Sequence, residues 1–367
     1  MAQPMNPYDC TIVGASFAGL ACATTLAHAG HRVLVLERKA EAGEKLHTTG
    51  LLVKEAVESS ALLADLPPVL VRRLEGVRLY APDLRAVDLD APGYYFLATD
   101  TGALLRWMAG RAEEAGAEIR WRTPFETAGK LAAGFTLGRI GSTRYLVGAD
   151  GPTSRVARAL RLGVNREFLF GIEHEYDVRG IPDANRLHCF LDRRIAPGYL
   201  GWVVAGVGTV QVGIARRERG GAAREAKAAL ALFLDKIAPV FDFRSSPPTS
   251  VRAGLIPCGG VVRKAFAERV LLVGDAAGTV SPLTAGGIHT ALRHGAAAGV
   301  AIDAFLGGRS ADPGSRIASA YPRFRAKRLL RWAFDRFQHD GLANALLGTR
   351  VVREAASRIY FHRGARR

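Results

Sequence analysis

Gly14-Ala15-Ser16-Phe17-Ala18-Gly19 lies between a short apolar run, Cys10 to Val13, and a stretch of helical periodicity, Phe17 to His28. Such a junction can bind a pyrophosphate. Gly14 permits a tight turn, the helix start offers unpaired N–H groups, and Gly19 lets helix and strand pack closely. Glu37 ends the next apolar run, Arg32 to Leu36, where its carboxylate can accept hydrogen bonds from ribose hydroxyls and repel a 2′-phosphate. The pattern therefore predicts a site for FAD or NAD rather than NADP. Ser16 replaces the usual middle glycine, but its side chain is small. Arg38 and Lys45, just beyond, join the candidate cofactor contacts.

Two distant segments decide between the cofactors. Gly148-Ala149-Asp150-Gly151-Pro152-Thr153-Ser154-Arg155-Val156-Ala157-Arg158 closely resembles the GADGxxSxVR element of the group A flavoprotein hydroxylases and their relatives. Gly274-Asp275-Ala276-Ala277-Gly278, after the apolar run Val270 to Val273, resembles their GDAAG element. The resemblance implies FAD, with Asp150, Gly151, Gly274 and Asp275 at the cofactor and Asp275 on the ribityl chain. It also implies a helix start at Pro282, Gly286, Gly287 and Ile288 that faces the pyrimidine end of the flavin. These residue types suit the task, since a carboxylate can hold ribityl hydroxyls and a helix N-terminus stabilises negative charge near N1.

Within this superfamily the chain most resembles the geranylgeranyl reductase family. Gly254-Leu255-Ile256-Pro257-Cys258-Gly259-Gly260 is similar to its GxIPxGG segment, and Ser281-Pro282-Leu283-Thr284-Ala285-Gly286-Gly287-Ile288 to its SPLTGxGI. Pro197-Gly198-Tyr199-Leu200-Gly201-Trp202 is similar to its PxxYxW substrate wall, which makes Tyr199 and Trp202 candidates for the chemistry or simply an aromatic pair in the core. The resemblance implies hydride transfer from reduced flavin N5 to C=C bonds of a long apolar, isoprenoid-like substrate. A flavin-dependent monooxygenase is the alternative, and a prenyl-binding escort without redox chemistry is a third. A halogenase would need a WxWxIP motif, which is missing. Two departures stand out. The loop that often carries a cysteine reads Lys45-Leu46-His47-Thr48-Thr49-Gly50, which leaves His47 as its titratable candidate, with polar lining as the other role. The DRxxFD element reads Asp100-Thr101-Gly102-Ala103-Leu104-Leu105, so Arg106 is the nearest arginine for the cofactor, or else a solvated helix residue.

The elements that must position these groups read as a βαβ unit at the start, a helix over Ala103 to Ala115, a strand over Glu118 to Trp121, and a hairpin over Phe135 to Val147 turning near Gly141 and Ser142. Phe168 to Tyr176, Leu187 to Leu191, Leu200 to Val204 and Thr209 to Ile214 read as antiparallel strands, and Ala222 to Ile237 as a helix. The expected fold is α/β: a Rossmann-type FAD-binding domain over 1–160 and 252–310, with part of the substrate sheet between 65 and 100. An antiparallel substrate domain over 161–251 and a basic helical segment over 311–367 complete it.

Composition narrows the setting. The 49% apolar and 23% charged content is that of a globular chain with a sizeable core. Met1 to Tyr8 has no basic residue or apolar run, so a cytoplasmic protein is expected. The four cysteines are too scattered for a metal site, and we read them as reduced. A separate nicotinamide site is not expected, since the single βαβ fingerprint would hold FAD. Electrons would come from transient NAD(P)H contact or a redox protein. Of the +16 net charge, +10 falls after residue 315, where 13 Lys and Arg face three acidic residues. There Phe324, Trp332, Phe334 and Phe337 interleave with arginines, and Ile359-Tyr360-Phe361 precedes Arg363. Helical spacing puts Phe324, Arg328, Arg331 and Asp335 on one face and Leu330, Phe334 and Phe337 on another. Two readings follow: a peripheral helix on an anionic membrane surface, or a capping helix with aromatics packed inward and arginines in water. No nucleic-acid reading motif is present.

Overall fold

The computed structural model describes residues 8–361 except 179 and 219. Residues 1–7 of the N-terminal stretch considered above, and Arg363, lie outside them.

Five parallel strands form the centre of the first sheet, in the order Val270–Leu272, Ser142–Gly148, Tyr8–Val13, Val33–Leu36 and Glu118–Arg120. Tyr8–Val13 and Val33–Leu36 read as almost unbroken apolar runs because helices cover both faces of a parallel sheet. The helix Phe17–His28 follows the first strand as expected, and the helix Thr101–Glu114 starts two residues before the expected position. Asp100 explains that start: its side chain accepts a hydrogen bond from the Ala103 amide and caps the helix. The expected hairpin forms between Gly134–Thr136 and Ser142–Gly148, with a third short strand at Gly129–Leu131.

Register decides what happens at one edge of this sheet. Val13 lies opposite both Gly148 and Leu36, and Gly148 opposite Leu272. The strands therefore end level, and the residues that follow them, Gly14, Glu37, Ala149 and Val273, emerge together at the carboxyl edge. This is where an open α/β sheet offers a crevice for a ligand.

The second sheet runs Ser250–Pro257, Phe168–Tyr176, Val210–Arg217, Gly201–Ala205, Arg186–Phe190, Gly76–Tyr80 and Ala86–Asp90. It is antiparallel except where Arg186–Phe190 meets Gly76–Tyr80. Strand alternation gives it two faces. On one, Ile172, Phe190, Val203 and Val212 pack under the helix Ala222–Ile237 through Leu230 and Phe233. On the other, Gly171, Glu173, Cys189 and Trp202 face a large cavity. A smaller sheet, Leu51–Val53, Phe96–Thr99 and Val71–Leu74, closes one side.

The chain ends in four helices: Gly314–Ser319, Arg325–Phe337, Asp340–Leu346 and Arg350–Tyr360. The capping arrangement expected for Arg325–Phe337 holds only in part: Phe334 packs inward on the cavity and Arg325, Arg328 and Arg336 are exposed, but one arginine and two aromatics are placed the other way. Arg331 is 4% exposed and pairs with Asp335 at 3.0 Å, and this polar face packs against Gly198 and Arg217. Trp332 (60%), Phe337 (64%) and Leu329 (65%) are turned outward instead. The Arg331–Asp335 pair, placed at i and i+4, occupies the inner face with Arg217 Nη1 3.9 Å from Asp335.

Candidate active site

The glycine turn is built by backbone crowding. Gly14 has φ +108°, and a Cβ there would lie 2.3 Å from the Ala149 carbonyl oxygen; one at Gly19 would lie 1.9 Å from the Gly14 carbonyl oxygen. Only glycine fits either place. The Ala15 amide donates to Glu37 Oε2 at 2.8 Å, and the Lys39 amide to Oε1 at 3.0 Å. Glu37 thus ties the turn to the end of the second strand while lining the cavity. The helix Phe17–His28 begins at Ser16 without a side-chain cap, so its first amides are left for a ligand.

Gly14, Ala15, Ser16, Phe17, Ala18, Glu37, Arg38, Asp150, Gly151, Gly274, Asp275, Gly286, Gly287 and Ile288 all line one cavity of about 1010 Å³. Gly19 and Pro282 do not line it. Lys45 and Arg106 are not brought to it. Lys45 is 79% exposed and pairs with Glu44 at 3.0 Å, while Arg106 is exposed on the helix Thr101–Glu114. Asp150 is committed locally: it accepts from Ser154 Oγ at 2.6 Å and from the Arg155 and Val156 amides, which holds the turn that presents Gly151.

Asp275 behaves differently. Among the described residues nothing donates to its carboxylate, and burial pushes its pKa up to about 6. The half-buried carboxylate opens on the cavity, where a donor can reach it. The helix Ile288–Leu306 starts beside it at Gly287, again without a side-chain cap. A Cβ on Gly287 would approach the Val280 side chain to 3.0 Å. The two uncapped helix starts, the glycine cradle and the unpaired carboxylate fit a dinucleotide with a polyol chain, which is the shape of FAD.

The other half of the cavity belongs to the second sheet and the C-terminal helices. Tyr199 donates to the Thr284 carbonyl at 2.6 Å and Trp202 Nε1 donates to Glu173 Oε2 at 2.7 Å, so both face the cavity rather than the core under the helix Ala222–Ile237. Gly213 makes room for the indole, since a Cβ there would lie 2.5 Å from the ring. His47 also lines the cavity. Its Nδ1 donates to the Ala253 carbonyl at 2.5 Å, and burial, with Lys39 and Arg38 adding to it, lowers its pKa. The far end is apolar: Phe334, Leu347, Val351, Val352, Ala355, Ala356 and Ile359.

Sequence patterns did not mark Glu173, Thr49 or Arg252, which meet in this wall. No motif spacing signals them, because they come from a loop and two strands. Nor did they mark the last helix as cavity wall, although its period of apolar residues, Val352, Ala356 and Ile359, was available to read.

A dinucleotide cradle at the sheet edge, joined to an apolar chamber under a second sheet, defines an FAD-dependent oxidoreductase. The FAD binding domain family model matches residues 7–333. Digeranylgeranylglycerophospholipid reductase 2 of Methanopyrus kandleri is 30% identical, over 80% of this chain and 76% of its own. Reductase 1 of the same organism is 31% identical, over 81% of each chain. A crystal structure of a geranylgeranyl bacteriochlorophyll reductase-like protein from Thermoplasma acidophilum shares the fold, with a TM-score of 0.80, 21% identity and 98% of each chain covered. The chain belongs to the FAD binding domain family and, within it, to the geranylgeranyl reductases.

Proposed function

We propose that this enzyme reduces isolated C=C bonds in the polyprenyl chains of a glycerophospholipid-like substrate taken from a membrane. The observation that carries the proposal is the apolar chamber closed by Phe334, Val352, Ala356 and Ile359, continuous with the cradle at Gly14 and Asp275. A long hydrocarbon gains roughly 0.8 kcal/mol for each methylene it buries there, and needs few polar contacts to be held. The names of the M. kandleri relatives support the same chemistry.

In this reading the cradle residues Gly14, Ser16 and Gly19 take the pyrophosphate, Glu37 the adenosine ribose, and Asp275 the ribityl hydroxyls. When bound and reduced, FAD supplies a hydride. Trp202 and Tyr199 shape the wall against which the chain lies, and His47 is polar lining that holds the loop over Ala253. NAD(P)H in transient contact, or a redox protein, is the external electron donor.

The outward apolar face of Arg325–Phe337 would enter an anionic membrane surface. Leu329, Trp332 and Phe337 are exposed there, with Arg325 and Arg336 exposed beside them. Among the described residues no helix is long and apolar enough to cross a membrane, so the association would be peripheral.

Mass spectrometry of a digeranylgeranylglycerophospholipid incubated anaerobically with the enzyme and dithionite tests the reaction. The expected product gains two hydrogens per double bond. A lipid left unchanged without oxygen, but gaining oxygen atoms in air with NADPH, would replace this reading with monooxygenation.

A further inference from the structure

Glu173 is an ionisable group in the cavity wall to which cofactor binding gives no task. It sits on the cavity face of the strand Phe168–Tyr176 and is 3% exposed. Its Oε2 accepts from Thr49 Oγ1 and from Trp202 Nε1, each at 2.7 Å. Its Oε1 is buried without a hydrogen-bond partner, 3.8 Å from Arg252 Nη1. Arg252 is engaged elsewhere: it pairs with Glu175 and donates to the Thr48 carbonyl at 3.1 Å. The charged groups around Glu173 are therefore Arg252, which favours the carboxylate, and Glu175, which opposes it. Burial outweighs Arg252 and the hydrogen bonds from Thr49 and Trp202, and holds the pKa above the ordinary carboxylate value.

The reaction proposed above needs such a group. An isolated alkene has no carbonyl to hold negative charge, so a hydride cannot add to it unless a proton reaches the neighbouring carbon. We propose that Glu173 is the acid that delivers this proton, an assignment that rests on the reductase reading. The π pair of the C=C bond takes the carboxyl proton at the less substituted carbon. The positive charge builds on the more substituted carbon, where the hydride supplied by the reduced cofactor forms the second C–H bond. One proton and one hydride thus saturate the alkene and leave the cofactor oxidised, and the Glu173 carboxylate regains its proton from water. Four other titratable groups of this wall are less suited: burial raises the pKa of Cys189 and of Tyr360. His47 spends its Nδ1 proton on Ala253 and has a lowered pKa, and the Tyr199 hydroxyl is donated to Thr284.

Glu173→Gln keeps the shape and an acceptor for Thr49 and Trp202 but has no acidic proton. Its test is the anaerobic reoxidation of dithionite-reduced holoenzyme by a digeranylgeranylglycerophospholipid in detergent micelles. The rate should fall by about 100-fold or more, with FAD content and lipid affinity unchanged. The parent's rate should decline as pH rises through the titration of Glu173, while the variant stays slow and flat with pH. Glu173→Asp, which retains an acid, should recover part of the rate and the pH dependence. Independently of turnover, infrared difference spectra taken across a pH titration should contain a protonated-carboxyl C=O band that is lost at a higher pH than for an ordinary carboxylate in the parent, and lack it in Glu173→Gln. A Gln variant as fast as the parent, or a parent without that band, overturns the assignment. If the variants fail to hold FAD, the band in the parent decides. A parent that cannot reduce the lipid removes the reductase reading and this assignment with it, whereas a competent parent with an indifferent variant removes the assignment alone.

Discussion

Asp275 has a carboxylate in the cavity wall, no donor among the described residues, and a pKa raised to about 6 by burial. Its folded pKa is above its unfolded one, so the stability it contributes is present below about pH 4 and is lost as pH rises through 6. Asp275→Asn apoprotein should therefore be more stable than the parent above pH 6, with the difference fading toward pH 4 in thermal melts. FAD should behave oppositely, because ribityl hydroxyls donate best to the ionised carboxylate. Parent affinity should rise as pH increases through 6. Loss of the partner in Asp275→Ala should weaken binding by about 1 to 3 kcal/mol, measurable by flavin fluorescence titration. That residue was legible because the GDAAG segment carries it. Glu173 was not, since a carboxylate in mid-strand has no surrounding pattern, and its meaning comes from Thr49, Trp202 and Arg252, which lie far away in sequence. Lys45 and Arg106 mark the opposite limit. Their positions suggested cofactor contact, but the loop and helix that carry them leave both side chains exposed.

The longer helices and strands were the easiest to read because their apolar periods persist. Phe168–Tyr176 and Ala222–Ile237 have the bounds that their periods predict. Three-residue strands such as Leu51–Val53 and Gly129–Leu131 are too short to show a period and depend on their neighbours. The pairing of Phe17–His28 with Ile288–Leu306 is similarly tertiary. It depends on Gly295 and Gly299, where a Cβ would lie 2.3 Å from the Ala18 carbonyl oxygen and 2.7 Å from the Thr25 Cβ. Both helices begin at the cofactor cradle, so forcing them apart should disturb binding as well as stability. Gly295→Leu should cost at least about 1 to 3 kcal/mol in denaturant unfolding and release FAD. Gly213→Val should act on the other wall by displacing the Trp202 indole, with lipid affinity falling and FAD content retained.

Charge and packing join the whole molecule to its setting. The basic C-terminal segment was visible as composition, but the direction its helix faces was not, because helical spacing alone cannot say whether arginine or tryptophan turns inward. The burial of Arg331 with Asp335 settles that direction and leaves Leu329, Trp332 and Phe337 exposed near the apolar chamber. A triple change of these three to serine should abolish co-sedimentation with anionic vesicles while preserving bound FAD. Parent binding should weaken with salt, because each surface-proximal arginine contributes about 1 kcal/mol. Equal sedimentation of parent and variant would count against membrane docking by this face.

In the proposed reaction, hydride from the FAD cradle is consumed by an alkene in the adjoining chamber. Rapid mixing of dithionite-reduced holoenzyme with a digeranylgeranylglycerophospholipid, without oxygen, tests it most directly. Flavin absorbance should return at a rate that saturates with lipid, one saturated bond appearing per flavin oxidised, and the fully saturated lipid should have no such effect. Flavin that stays reduced with the unsaturated lipid and reoxidises only when oxygen is admitted would contradict it.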